Sequence, residues 1–510
     1  MSDFLVSFNS TIAHPPLLPL LRLPYGEQAP NGRVLSFQCG SIGILEDKIA
    51  LGRNVVTRDQ LVFAWVGDLV PPPGQSIEKA FGRIAPATTS DDFRKTLQNS
   101  GLLESVGGGF AAILANDHCI ALITDPLASV QVYIGSNADG QIVAAGTHAD
   151  IVAALTGVDA IDPASVCDFM NGGIACCPHT IHKHVRELAP GTVALFTRQP
   201  DQTVRCDEFQ YWVPPAELTG RIDQEELIRE FLARWQHAVT ARCDGETLGI
   251  TLSGGLDSRL VMASVPREKK AIGLTLCDEI NREARIARAV AQCYDREWRT
   301  LQRDPEYLGR TAVDSIRLMG CEGEWQHAHC LGFVESLRSM GVDTVFTGLY
   351  MDNNFKGYYA KDIARIGRAG GLLPAVYKPI SLDYVNQIGP FCRDQIKTEL
   401  FNESVARRQR FYDQHFARNR SSQWEWLDGY PNSQASDNTG WVAERRVMRL
   451  RLPVMDRPLV ELAFQIPATL KADGQFFEQA IARTLGPGCH IANANDGVRP
   501  GSGHWSRLAQ

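Results

Sequence analysis

Short apolar runs separated by clusters of Gly, Pro, Asn and Asp fill roughly the first 210 residues. The clearest are Val34–Phe37, Leu61–Trp65, Phe110–Leu114, Ile120–Thr124, Val130–Ile134 and Thr192–Phe196. Runs of that length between turn residues predict strands. A helix is expected from Pro163 to Met170, with Asp162 as its N-cap and the proline at its first position. Pro214–Gly220 reads as a linker, and an amphipathic helix from Gln224 to Ala241 follows it. From about Glu246 the rhythm changes. Strands at Thr247–Leu252, Ala271–Leu276, Glu297–Leu301 and Thr344–Thr347 alternate with helical stretches, the clearest from Asn281 to Tyr294. There Ile286, Ala289, Val290, Cys293 and Tyr294 form one apolar stripe. Such alternation predicts a parallel sheet with helices on both faces, whose ligands bind at the carboxyl ends of the strands. The chain is longer than one core usually supports, and two domains are expected, residues 1–213 and 222–510.

The chemistry concentrates at one strand-to-helix turn, Thr251-Leu-Ser-Gly-Gly-Leu-Asp-Ser-Arg259. A strand, a glycine turn and a helix place free backbone N–H groups and a positive helix end at one point, which suits an anion. Gly254 and Gly255 let the backbone approach a phosphate, and Ser253 and Ser258 add hydroxyl donors. Asp257 repels phosphate unless a divalent cation lies between them, with carboxylate and phosphate oxygens as its hard ligands. The kinase-type GxxxxGK[ST] spacing is absent.

Composition narrows the classes. A net charge of −7 and the lack of a long basic run argue against nucleic acid as a partner. No apolar stretch reaches the ~20 residues a bilayer requires, so no membrane association is expected. The first residues carry no export signal, and the 13 cysteines include no CxxC pair, so reduced thiols and a cytoplasmic location are expected. His179, His182 and His184 read as a surface loop, and His327, His329 and Cys330 as part of a helix. Arg259 and Arg457 are candidates to lean toward phosphate or a substrate carboxylate.

The Ser253–Ser258 stretch resembles the SGGxDS signature of pyrophosphate-loop enzymes, which cleave ATP between its α and β phosphates. The segment Thr347-Gly-Leu-Tyr-Met-Asp-Asn-Asn-Phe-Lys-Gly-Tyr358 is similar to the second loop of asparagine synthetases, roughly SGEGSDExxGGY. Arg449–Glu461 resembles that family's RxPFLDxxLVE segment, and Phe63–Leu69, Phe110–Asp125 and Leu188–Gly191 fall where its glutaminase-type domain has similar stretches. The implied fold is α/β: a degenerate glutaminase-type (Ntn-like) α+β domain followed by a Rossmann-like pyrophosphate-loop synthetase domain. By this resemblance Asp257 and Asp352 coordinate magnesium on ATP. Ser253, Gly255 and Ser258 hold the pyrophosphate, Leu252, Gly254, Thr347 and Gly348 also contact the nucleotide, and Leu274, Thr275 and Leu276 lie along adenine. Tyr350 and Glu283 are catalytic candidates on the acceptor side.

Departures from the family are equally informative. Ser2 stands where glutamine-using members have their cysteine nucleophile, and Val66-Gly67 replaces the asparagine–glycine pair that helps the oxyanion. Leu349 occupies the position of a glutamate or tyrosine that works on the acceptor, and Lys471 lies out of register with the family's C-terminal lysine. An acceptor with a peptide α-amine, of pKa ~7.7–8.0, needs no strong base. The set resembles lasso peptide cyclases, which adenylate an Asp or Glu side chain of a core peptide and close a macrolactam on its N-terminal amine. That resemblance implies a precursor peptide as substrate and a leader peptidase as partner. The alternatives are a β-lactam synthetase-like or asparagine synthetase-like ligase on a small amino acid, and a silent nucleotide-binding partner domain. The paired Asp257 and Asp352 argue against the last.

Overall fold

The computed structural model describes residues 3–8, 16–46, 54–72, 74–84, 89–320, 323–357, 394–415, 429–435, 438–471 and 474–500. Ser2, at the expected nucleophile position, and Tyr358, at the end of the second loop motif, lie outside the described residues. The chain forms two compact units and crosses between them more than once: residues 1–213, 312–328 and 376–446 belong to the first, the remainder to the second.

The first unit is built on twelve strands: β1 (Phe4–Ser7), β2 (Gly32–Ser36), β3 (Ser41–Leu45), β4 (Val55–Arg58), β5 (Leu61–Gly67), β6 (Phe110–Ala115), β7 (Cys119–Thr124), β8 (Tyr133–Ser136), β9 (Ile142–Gly146), β10 (Val185–Glu187), β11 (Thr192–Arg198) and β12 (Val204–Gln210). They make two six-stranded sheets, ordered β10-β8-β9-β1-β3-β2 and β12-β11-β7-β6-β5-β4. Neighbours in both are antiparallel. One face of the second sheet, through Phe63, Leu114, Ile123 and Leu195, packs on Phe81, Phe93, Leu97 and Leu103 of short helices. Its other face meets the first sheet, where Phe8 stacks on Phe196 with ring centroids 4.7 Å apart. Strands β6 and β7 are therefore buried on both faces, which is why they read as unbroken apolar runs. Helices Leu17–Arg22 and Ala149–Thr156 cover the outside of the first sheet. The result is a helix–sheet–sheet–helix sandwich.

Two expectations shift. The strand expected at Val130–Ile134 begins only at Tyr133. Its first residues are buried but irregular, and Asp125 organises that stretch by accepting the backbone N–H groups of Leu127 and Ser129. The helix expected around His327 is a single 3-10 turn, Trp325–His327.

A buried ionic cluster fastens the start of the first unit. The Asp3 carboxylate accepts from Arg446 Nε at 2.8 Å and Thr147 Oγ1 at 2.7 Å, and from the Tyr25 hydroxyl. Arg446, fully buried, also donates to the carbonyls of Thr147 at 2.7 Å and of Leu318. Burial alone drives the Asp3 pKa up, but the guanidiniums of Arg446 and Arg445 outweigh it and hold the group well below its ordinary 3.8.

The second unit carries one parallel sheet of β13 (Thr247–Thr251), β14 (Lys270–Cys277), β15 (Glu297–Gln302), β16 (Thr344–Phe346) and β17 (Leu450–Arg451), ordered β15-β14-β13-β16-β17. Successive strands run outward from β13 to β15, then the chain returns to the opposite side of β13 for β16. The reversal lies between β13 and β16, and a parallel sheet opens a ligand crevice outside the strand ends at such a point.

Arg446→Met should cost about 3–5 kcal/mol of stability near neutral pH, because it leaves the buried Asp3 carboxylate with only the more distant Arg445 at 3.6 Å to balance its charge. The folded-state pKa of Asp3 lies below its unfolded value, so its contribution is present above about pH 4 and fades as pH falls through the folded-state pKa. Urea unfolding of wild type and variant at pH 7 and below pH 4 should show the gap between them narrowing in acid.

Candidate active site

The end of β13 leads into the glycine turn because Leu252 and Thr275 lock it there. Leu252 N–H donates to the Leu274 carbonyl at 2.7 Å, and Thr275 Oγ1 donates to the Leu252 carbonyl at 2.7 Å. Trp298 Nε1 donates to the same Thr275 hydroxyl at 2.9 Å, which holds its orientation. Thr275 is thus a buried brace for the turn, while Leu274 and Leu276 face the cavity described below.

Within the turn, Ser253 N–H donates to Ser258 Oγ at 3.1 Å, the two serine hydroxyls lie 3.2 Å apart, and Gly255 N–H donates to Ser253 Oγ at 3.3 Å. Gly254 has φ +73°, and a Cβ there would lie 3.0 Å from the Glu283 carbonyl oxygen. The helix Leu256–Ser264 that follows starts at Gly255 with no side chain capping it. Its first N–H groups point to the end of the turn, where an anion can accept from them.

The second loop leaves β16 beside this turn. Thr347 Oγ1 accepts from Leu349 N–H at 3.2 Å. A Cβ on Gly348 would lie 2.8 Å from Asp257 Cβ and 3.1 Å from Ser258 N, so only glycine allows the two loops to touch. A short helix, Met351–Phe355, carries Asp352. Its anchor is Phe355, fully buried against Phe231 with centroids 4.7 Å apart, and Phe231 in turn meets Phe476 and Phe477.

Lys356, next in sequence, brings the two acidic residues together. Its Nζ lies 2.6 Å from the Asp257 carboxylate and 2.8 Å from Asp352 Oδ1, and 5.0 Å above the Phe477 ring. Burial, with a further rise from Asp352, outweighs the pull of Lys356 and leaves the Asp257 carboxyl pushed up to about 6. Burial lowers the Lys356 ammonium, but the two aspartates overcome this and hold it above its ordinary value. Two carboxylates converging on one cationic atom form an all-oxygen donor set of the kind magnesium prefers. Among the described residues, no group of three or more acidic, His or Cys side chains is placed to hold a metal. A magnesium ion held by Asp257 and Asp352 would have to complete its shell with water or with oxygens of a ligand.

The two loops wall a cavity of about 250 Å³. Leu252, Ser253, Asp257 and Ser258 line it from the first loop, and Thr347, Gly348 and Leu349 from the second. Leu274, Leu276 and Glu283 close the other side. Gly254, Gly255, Thr275, Tyr350 and Asp352 are not part of that lining. Glu283 stands in the first turn of the helix Arg282–Cys293, capped by Asn281, and burial raises its carboxyl above the ordinary value.

Several candidates point elsewhere. Tyr350 is 3% exposed and left-handed at φ 66°, and Leu349 takes the wall position instead. Lys471 is fully buried, with Nζ donating to the Ala463 carbonyl at 3.0 Å. Arg457 pairs with Glu461 at 2.8 Å. Arg259 turns away from the anion site. Its buried guanidinium donates to the carbonyls of Gly254, Gly488, Ile491 and Ala492 over 2.7–3.1 Å. The segment thus held also donates from Ala494 N–H to the Gly254 carbonyl at 3.3 Å. His179 and His182 are partly buried rather than exposed, and His182 lies 2.8 Å from Asp150.

The sequence profile described as asparagine synthase matches residues 230–485, half of the chain. The chain belongs to the asparagine synthase family, and this is an ATP-dependent amide-forming ligase. No curated protein sequence matches it significantly. Among solved structures it is similar to a glutamine phosphoribosylpyrophosphate amidotransferase from B. subtilis, at 11% identity over 73% of this chain and 79% of that one, with a TM-score of 0.27. It is also similar to an NMN synthetase from Francisella tularensis, at 14% identity over 43% and 97% with a TM-score of 0.22. An NH3-dependent NAD synthetase from Campylobacter jejuni matches at 12% identity over 42% and 96%, with a TM-score of 0.20. No helix among the described residues is long and apolar enough to cross a membrane.

Asp257→Asn and Asp352→Asn should each lower ATP–pyrophosphate exchange by more than about 100-fold, the scale of losing one preorganised electrostatic contact to the transferring group. Exchange of labelled pyrophosphate into ATP measures this directly, and wild-type exchange in either variant would remove that residue from the site.

Proposed function

We propose that this ligase is a lasso peptide cyclase, which adenylates an Asp or Glu side chain of a core peptide and closes a macrolactam on the peptide's N-terminal amine. The observation that carries the reading is the acceptor wall. Leu349, an apolar side chain, occupies the position next to Gly348, while Tyr350 and Lys471 are buried away from the cavity. A wall without a tyrosine–lysine pair suits an acceptor that is partly neutral without help, such as a peptide α-amine of pKa ~7.7–8.0.

In the first half-reaction the peptide carboxylate attacks the α-phosphorus of ATP and pyrophosphate leaves. The Ser253 and Ser258 hydroxyls and the uncapped N–H groups of the helix Leu256–Ser264 donate to the oxygens of the departing pyrophosphate. Asp257 and Asp352 would hold magnesium, which when bound neutralises developing phosphate charge. In the second half-reaction the amine attacks the acyl carbon, AMP leaves and one proton is lost. Glu283, the titratable group lining the cavity besides Asp257 among the described residues, is placed to take that proton. Holding amine and acyl group together can itself supply ~7–11 kcal/mol of the barrier. The precursor peptide is the substrate in this reading, and a leader peptidase that exposes the amine is the expected partner.

A β-lactam synthetase-like or asparagine synthetase-like ligase on a small amino acid is the second reading, favoured by the modest cavity of about 250 Å³.

Mass spectrometry of enzyme, ATP, magnesium and linear core peptide should show loss of one water from the peptide for each AMP released. AMP formed with a small amino acid and an unchanged peptide would favour the second reading. Glu283→Gln should leave pyrophosphate exchange intact and slow ring closure by about 100-fold, the usual worth of a general base. Since the base acts deprotonated, Glu283's inflection should vanish from the acid side of the ring-closure pH profile in that variant, while the limb set by protonation of the acceptor amine remains.

A further inference from the structure

Lys356 occupies a place in the second loop where the family pattern has glycine, and its side chain does what glycine cannot. Its ammonium bridges Asp257 and Asp352 at 2.6 and 2.8 Å. Its position is set by more than those contacts, since the charge lies over the Phe477 ring and the stem runs beside Gly474. The side chain is about four-fifths buried, as is that of Asp257.

Charge bookkeeping gives the consequence. Two carboxylates and one ammonium leave the cluster at −1. A divalent cation entering alone must displace the tethered ammonium from both carboxylates, and the displaced charge then faces the ion. A divalent cation entering with a nucleoside triphosphate brings phosphate oxygens that complete the metal shell and give the ammonium a new partner. The two protein carboxylates cannot complete that shell, and no third acidic, His or Cys ligand is placed beside them among the described residues.

We propose that Lys356 is a resident cation that makes metal binding at Asp257 and Asp352 conditional on nucleotide, and that the ammonium moves onto phosphate oxygens when nucleotide and metal arrive together. This rests on the reading of the two aspartates as metal ligands, and it adds an ordered or joint entry of metal and ATP. Lys356 is a positioning residue here: with the site empty it keeps two repelling carboxylates in register.

The test is Mn2+ binding, read from the electron paramagnetic resonance signal of free Mn2+. The proteins are wild type, Lys356→Met, Lys356→Gln and Lys356→Arg, each with and without the α,β-methylene analogue of ATP. Wild type should bind Mn2+ at least tenfold more weakly without the analogue than with it. Lys356→Met and Lys356→Gln should bind Mn2+ without the analogue at least tenfold more tightly than wild type, and Lys356→Arg should match wild type. Methionine keeps the apolar stem against Phe477, and thermal melts establish that each variant is folded. Equal Mn2+ affinity of wild type and both neutral variants without nucleotide would overturn the proposal while leaving analogue-dependent binding intact. Failure of wild type to bind Mn2+ even with the analogue would instead remove the metal reading of Asp257 and Asp352, and the conditional entry with it.

Discussion

Like charges held close together must be compensated, and that constraint shapes the second unit. Asp257 and Asp352 approach one ammonium at 2.6 and 2.8 Å, so their nearest oxygens can lie no farther apart than about 5 Å. At the effective dielectric of a protein site such a pair repels by about 3 kcal/mol, less the screening available to the half-exposed Asp352. Much of the surrounding architecture serves to impose that proximity. Adjacent parallel strands β13 and β16 deliver the two loops side by side, Gly348 removes the side chain that would hold them apart, and the Phe231–Phe355 contact fixes the short helix bearing Asp352. Lys356 supplies the compensating charge from the loop itself.

The first unit solves a related problem differently. Asp3 is wholly buried, and its charge is matched by an arginine more than four hundred residues later in the chain. Arg446 also satisfies two carbonyls, so neither ion is left wanting partners. The residue beside the expected nucleophile position is therefore committed to holding the N-terminal strand in its sheet.

What could be read from the sequence follows the range of the interactions involved. The glycine turn and its two serines were legible because their bonds span five residues or fewer. Three strands of the parallel sheet, β13, β14 and β16, were legible because burial on both faces makes them short, mostly apolar runs, whereas β15 at the sheet edge is half-exposed and was read from its place in the strand–helix alternation. Strand β2 was read from Val34–Phe37, but β1, β3, β4, β9, β10 and β12 escaped notice; all but β12 are five residues or shorter, too short for a pattern to stand out. The irregular stretch before β8 looked like a strand because burial, not strand pairing, selects its apolar residues. Long-range partners were invisible. Arg259 looked like a phosphate ligand because it stands next to the turn, but its acceptors are carbonyls far along the chain. Lys356 passed unnoticed inside a motif recognised by its glycines, although a lysine four residues after an aspartate on a helix is a signal in itself.

The fastening of the glycine turn by Arg259 has a consequence for how the protein is made. The carbonyls of Gly488 and Ala492 that this guanidinium holds lie 229 and 233 residues beyond it. Closing so long a loop costs on the order of 5 kcal/mol in chain entropy. During synthesis, the strand, both glycines and both serines emerge from the ribosome long before the segment that ties them down. A nascent chain that ends short of residue 488 contains every phosphate-binding residue but lacks the tether that sets their geometry. The shape of the glycine turn is thus set by a segment synthesised more than two hundred residues after the turn itself.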